Sequence, residues 1–242
     1  MNPFYILVFD TSMNACSVGI YEASQDTLIS STHEEMKRGQ AESLLPLIQA
    51  QLEKSKLTYQ DLSAIACTNG PGAFTGLRLS LATAKALSLS LNIPAIGVST
   101  IETISNEYYV TTKPTEPYLI CLETKRDDYY AQLFLENGHL VEEAKTMDAN
   151  EINIMLSNHS IDNLTIVGDA TNRLEKDFTE SKEKSSIEFI LKSHEISHPN
   201  IYFIGNTAHK YFLEQNNKKK RLINILPIYL KKPNITISSQ NG

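Results

Sequence analysis

The chain has 242 residues, 41% of them hydrophobic, with a net charge of -6 and a pI near 5.6. That length buries roughly 70% of the unfolded surface, in one large domain or in two halves of about 110 residues each. The acidic balance argues against stand-alone nucleic-acid binding, which needs clustered Lys and Arg on phosphates.

The first segment, Tyr5 to Phe9, is a continuous apolar run ending at Asp10, the pattern of a buried central strand. The amino terminus has no basic region followed by an apolar one, so it reads as this strand and not as a signal peptide. Asp10 to Asn14 is a turn cluster, and Ser17–Tyr21 and Leu28–Thr32 are predicted as two further strands. Gln40 to Lys54 has helical apolar spacing, with Pro46 expected either in its first turn or at a kink. Strand Ala64–Thr68 leads into the glycine-rich loop Asn69–Gly76, helix Leu77–Leu91, strand Ala95–Val98, and a helix from Thr100 capped by Ser99.

Thr111 to Pro117 is proline-rich and marks a boundary between halves. Beyond it the order restarts: strand Tyr118–Leu122 ending in Glu123, turn Thr124–Asp128, strand Tyr129–Leu135, and an Asn137-Gly138 hairpin into Leu140–Ala144. Later strands are expected at Leu164–Val167, Ile187–Leu191 and Leu226–Leu230, a helix at Asn200–Gln215, and a frayed tail from about residue 233. The basic runs Lys218–Arg221 and Lys231-Lys232 read as solvated faces. Cys16, Cys67 and Cys121 lie far apart with no CxxC spacing, which fits a reducing compartment and gives no thiolate zinc site. No apolar run reaches the ~18 residues of a membrane span, so a cytoplasmic location is expected.

Four motifs carry possible chemistry. Asp10, Thr11 and Ser12 end a strand in a small-polar turn that can offer backbone N–H groups to a phosphate, with Asp10 on a metal-bound water; the other reading is a plain hairpin turn. Gly70, Pro71, Gly72, Phe74, Thr75, Gly76 and Arg78 form a strand-to-helix loop. It is neither a P-loop nor G-x-G-x-x-G. It can be an anion site at a helix N-terminus or a tight turn with Thr75 as N-cap. His194-Glu-Ile-Ser-His198 matches H-E-x-x-H, but Pro199 and the apolar run before it argue against a helical zinc site. Helix Leu77–Leu91 is apolar nearly all round, so it is buried on two sides, either within its own chain or against another.

At these residues the chain resembles the TsaB (YeaZ) family. Val8–Ser12, Ala15–Val18, Asn69–Arg78 and Ile96–Thr100 carry the likeness over the first hundred residues. The second half is similar in layout, and Pro227-Ile-Tyr-Leu-Lys231 resembles the family's near-terminal Pro-x-Tyr-Leu-Arg. The resemblance implies an α/β actin/Hsp70-like fold of two ribonuclease-H-like lobes with mixed sheets, here 1–110 and 111–242. It implies a part in making N6-threonylcarbamoyladenosine at adenosine 37 of tRNAs that read codons beginning with A. There the related TsaD subunit carries metal and catalysis, TsaE is an ATPase, TsaC makes the intermediate, and the TsaB-type subunit is the platform TsaD needs. It pairs with TsaD, or with itself as a homodimer, through first-lobe helices, so Leu44, Leu45, Ile48, Leu77, Leu81, Ala84 and Ser88 are the expected interface. Contact with tRNA is expected only indirectly.

Two positions depart from the family. Gln40 stands where His is usual, and Glu123-Thr124-Lys125 where Asp-Ala-Arg is usual; no glycine lies within Thr124–Asp128. Backbone cannot approach phosphate closely without such glycines. The expectation is therefore no catalytic residue, no metal, and ATP or ADP bound weakly or within a complex if at all. The alternatives are an ATP-dependent phosphotransferase or ATPase of the same fold using Asp10, Thr11 and Glu123, and a peptidase.

Overall fold

The structure, a computed structural model, describes residues 3–181, 190–216, 222–223 and 225–230. Strand β1 (Tyr5–Asp10) sits inside the first sheet. Leu7 and Phe9 enter the core on one face, and Ile6 and Val8 enter it on the other, which is why the run is apolar without alternation. β2 (Ala15–Glu22) and β3 (Thr27–Glu35) continue as an antiparallel meander. After α1 (Gln40–Ser55), β4 (Leu62–Gly70) returns parallel to β1. After α2 (Phe74–Leu91), β5 (Ala95–Ser99) lies parallel to β4. Ser99 caps α3 (Thr100–Thr112), accepting from the Glu102 N–H.

The second sheet repeats the plan. β6 (Tyr118–Glu123), β7 (Tyr129–Phe134) and β8 (Lys145–Met147) are antiparallel. After α4 (Ala149–Asn158), β9 (Asn163–Val167) pairs parallel with β6; after α5 (Thr171–Ser181), β10 (Ile190–His194) pairs parallel with β9. The order β10-β9-β6-β7-β8 thus mirrors β5-β4-β1-β2-β3. The last described elements are α6 (Ile201–Asn216) and β11 (Leu222–Ile223), the latter parallel to β5.

The halves 1–110 and 111–242 pack across one another. Ile201, Ile204, Ala208 and Ile223, late in the chain, pack with Ile6, Val8, Ala64 and Ala66 on the first sheet. Ile101, Ile104 and Tyr108 of α3 pack instead with Tyr118, Ile120 and Val167 on the second. Each half therefore supplies a helix to the other's sheet.

Several expected elements differ. α2 starts at Phe74 with Ala73 at its N-cap, so Thr75 lies within the helix. Leu140–Ala144 is no strand; Leu140 makes one bridge to Phe134, and the third strand follows at Lys145. Leu226–Leu230 is no strand either, although the Ile228 N–H donates to the Asn69 carbonyl at 2.7 Å. The strand expected at Ile187–Leu191 runs from Ile190 to His194, and its first three residues lie outside the described ones. Helices α4 and α5 were not anticipated. Pro46 is inside α1 on its exposed side. The runs Lys218–Arg221 and Lys231-Lys232 and the tail from 233 lie outside the described residues. Among the described residues no helix is long and apolar enough to cross a membrane.

Candidate functional site

The β1–β2 turn, the start of α2 and the β6–β7 turn face one another across a cleft of about 990 Å³, which includes Thr11, Gly72, Arg78, Glu123, Lys125 and Asp169 in its lining. The sequence-expected residues of the first turn and the glycine loop meet here, but mostly by packing on each other. The Thr11 hydroxyl donates to the Gly76 carbonyl at 2.7 Å and lies 2.7 Å from the Ser80 hydroxyl. The Ala73 N–H donates to the Ser12 carbonyl at 2.7 Å. A methyl group on Gly72 would stand 2.5 Å from the Ser12 carbonyl oxygen, and one on Gly76 would collide with the Thr11 carbonyl. These two glycines are therefore explained by the seating of α2 on the turn. Gly70, at φ 117°, leaves room for the Ile228 carbonyl, and Pro71 is buried after it. At the helix start the Arg78 guanidinium lies 3.8 Å from the centre of the Phe74 ring and donates to the Tyr229 hydroxyl at 3.3 Å; Thr75 is exposed.

Asp10 is fully buried; it accepts from the Thr68 hydroxyl and from the Ser12 N–H at 3.1 Å. Its second oxygen has no partner. Burial pushes this carboxyl up, against those hydrogen bonds, toward its neutral form. At the second turn, Arg173 of α5 donates to the Glu123 carboxylate at 3.0 Å and to the carbonyls of Arg126 and Asp128 at 2.5 and 2.9 Å. Its guanidinium also lies 3.9 Å from the centre of the Tyr129 ring. Two carbonyls of that turn are aimed at a cation of the chain itself.

The actin-like fold implies a magnesium–nucleotide, and these residues do not fit one. The metal needs ionised carboxylates facing the cleft, whereas Asp10 is sealed beneath it and Glu123 is neutralised by Arg173. Among the described residues no group of three or more His, Cys, Asp or Glu could hold a metal. His194 ends β10 and packs edge-on to Tyr108, while His198 stacks on His33 at 3.6 Å, so the H-E-x-x-H match is not helical. Gln40 donates back to the Met36 carbonyl at 3.0 Å.

Sequence reasoning missed Asp169 and Arg173. The Asp169 carboxylate accepts from the Glu123 N–H at 2.9 Å, and burial lifts it to about 6. Its signal was legible: an acidic residue just past a buried strand, as at Asp10, here after Gly168 at φ 128°.

Of the expected interface, Leu44, Ile48, Leu77, Leu81, Ala84 and Ser88 are buried within the chain. Most of them pack beneath the first sheet with Leu7, Phe9 and Val18. Only Leu45, 53% exposed, reaches the surface. The outward face of α1 and α2 is formed by other residues: Ala41, Phe74, Ala82, Ala86 and Leu89 are exposed, Phe74 and Leu89 by 53% and 68%.

Two sheets of one topology, facing across a cleft between corresponding turns, define an α/β protein of the actin-like class. A family model described as TsaD: tRNA N6-adenosine threonylcarbamoyltransferase matches residues 25–239, and the chain belongs to that family. Within it, the chain stands with proteins named TsaB (YeaZ). The TsaB protein of Buchnera aphidicola subsp. Baizongia pistaciae is 28% identical over 93% of this chain and 97% of its own. That of Buchnera aphidicola subsp. Schizaphis graminum is 35% identical over 56% of this chain, and the match spans 63% of its length. The structure of YeaZ from Pseudomonas aeruginosa superposes with a TM-score of 0.72 at 19% identity, covering 94% of this chain and all of its own.

Proposed function

We propose that the chain is a non-catalytic partner subunit of the machinery that makes threonylcarbamoyladenosine in tRNA. It supports a TsaD-type transferase that works with a TsaE-type ATPase. The observation that carries this reading is that both cleft turns are spent on the chain's own packing. Thr11 is held by α2, and Glu123 by Arg173. Among the described residues, neither turn carboxylate is left free to hold a metal or activate a nucleophile there: Asp10 is buried beneath the cleft and Glu123 is paired with Arg173. The names of the relatives support the pathway.

The partner surface is the outward face of α1 and α2, centred on Leu45, Ala82 and Ala86. Exposed alanines let a second helix pair approach closely, and the flanking leucines supply apolar area. The same face serves a second copy of this chain when the transferase is absent. Mixing the chain with a TsaD-type protein and following size-exclusion elution tests this. Co-elution is expected for the parent chain and lost in Ala86→Glu; co-elution of that variant at parental affinity refutes the surface.

A further inference from the structure

The stretch from Ile196 to Ile201 carries the chain from the second sheet back to the first. β10 ends at His194 in the second sheet, and α6 begins at Ile201 against the first. Ile196 is the anchor on one side, packed in the cluster of Met13, Ile101 and Tyr118. Ile201 is the anchor on the other, filling the space over Gly19, where a methyl group would stand 2.7 Å from it. Met13 belongs to the β1–β2 turn and also lines the cleft. The seating of this crossing is therefore coupled to the turn through the contact of Ile196 with the Met13 cluster.

Between the two anchors, His198 lays its ring on that of His33 in β3, with centroids 3.6 Å apart and planes 18° from parallel. A hydroxyl holds each ring in place. The buried Ser17 hydroxyl lies 2.8 Å from His33 Nδ1, and the Ser197 hydroxyl 3.0 Å from His198 Nδ1. His33 is exposed and His198 half-buried, so solvent protons reach the pair. The charged groups acting on it are Glu35 of β3, which attracts a proton to His198, and Asp10 of β1, whose carboxyl interacts with His33. Along the crossing, His194 is turned to Tyr108, and Glu195 is exposed. Burial, followed by the neighbouring His33, holds His198 below the usual imidazole range despite Glu35. Neutral rings stack at this distance, whereas two imidazolium ions face to face repel.

We infer that the His33–His198 stack is an acid-sensitive latch: it fastens the crossing to the edge of the first sheet, and double protonation releases the crossing and loosens the β1–β2 turn. The latch is complete above about pH 6.5 and weakens as pH falls, because the released form binds protons more tightly than the stacked one.

Hydrogen exchange of the whole chain, read by mass spectrometry between pH 7.5 and 5 and corrected for intrinsic exchange, tests this. Protection of residues 195–204, where the Tyr202 and Ile204 N–H groups bond to Asn200, is expected to fall about tenfold per pH unit below ~6.5, the slope for one proton. Protection of α1 should hold over the same range. His33→Phe and His198→Phe each keep a ring in the stack without its charge and should flatten the response. In the parent chain, NMR titration should show the His33 and His198 rings protonating in two separated steps. Unchanged protection of 195–204 across the range, an undiminished acid response in both variants, or two independent titrations near pH 6.5 overturns the inference.

Discussion

Thr11 shows how a turn of phosphate-binding type becomes a packing joint. Its hydroxyl bonds to a helix carbonyl and a helix hydroxyl, and the glycine opposite has no room for a side chain. Gly76→Ala is therefore expected to lift α2 off the turn and cost about 3 kcal/mol or more, the upper range for overpacking, readable as a drop in the urea midpoint. Asp169 gives a pH-dependent counterpart. Its carboxyl titrates at about 6 in the folded chain against 3.8 without burial, so the folded state holds this proton more tightly. Stability from this group is then complete below about pH 4, falls as pH rises towards 6, and stays low above it. Asp169→Asn keeps an acceptor for the Glu123 N–H and removes the charge. Thermal melts should show no gain at pH 4 and a gain of about 1–3 kcal/mol at pH 8; an equal gain at both ends would contradict the sign. In the sequence, the Asp10–Ser12 turn and the glycine loop were each legible from residue type, but their packing on one another, and whether the glycines met a ligand or a backbone, were not. That depends on the clearance at Gly72 and Gly76, which only the packed structure fixes.

At the scale of elements, α2 illustrates what periodicity leaves open. Leucines and alanines lie nearly all round it, so the pattern gave two apolar faces without saying which one the sheet would take. The sheet takes Leu77, Leu81, Ala84 and Ser88, and the face with Ala82, Ala86 and Leu89 is outward. The two faces should respond differently. Ala84→Arg places a charge in the core and should unfold the first sheet. Ala86→Glu should stay within about 0.5 kcal/mol of the parent and affect association alone. Equal melting of the two variants would place both positions in one environment. Helices α4 and α5 escaped notice for different reasons. α4 opens with a capping box, Asp148 and Glu151, that was there to be read. In α5 the apolar signal is mainly Leu174 and Phe178, one helical turn apart, in an otherwise polar segment.

For the whole molecule, the duplicated sheet order was legible from the repeat of strand, acid, turn, strand. The exchange of closing elements was not, because α3 and α6 carry ordinary amphipathic patterns that do not say which sheet they meet. The consequence is testable: residues 1–110 alone should not fold cooperatively, since the sheet face of Ile6, Val8, Ala64 and Ala66 loses Ile201, Ile204 and Ala208. A sharp, cooperative melt of that fragment would show the first sheet to be self-sufficient.

The measurement that bears most directly on the proposed role is threonylcarbamoyl transfer to tRNA, reconstituted from this chain, a TsaD-type transferase and a TsaE-type ATPase. Asp10→Asn alters the buried cleft carboxyl and Ala86→Glu the outward helix face. A non-catalytic partner predicts near-parental transfer with Asp10→Asn and loss of transfer with Ala86→Glu, restored by excess transferase. Loss of transfer with Asp10→Asn in a chain that still folds and binds the transferase would contradict it and make the cleft a working active site.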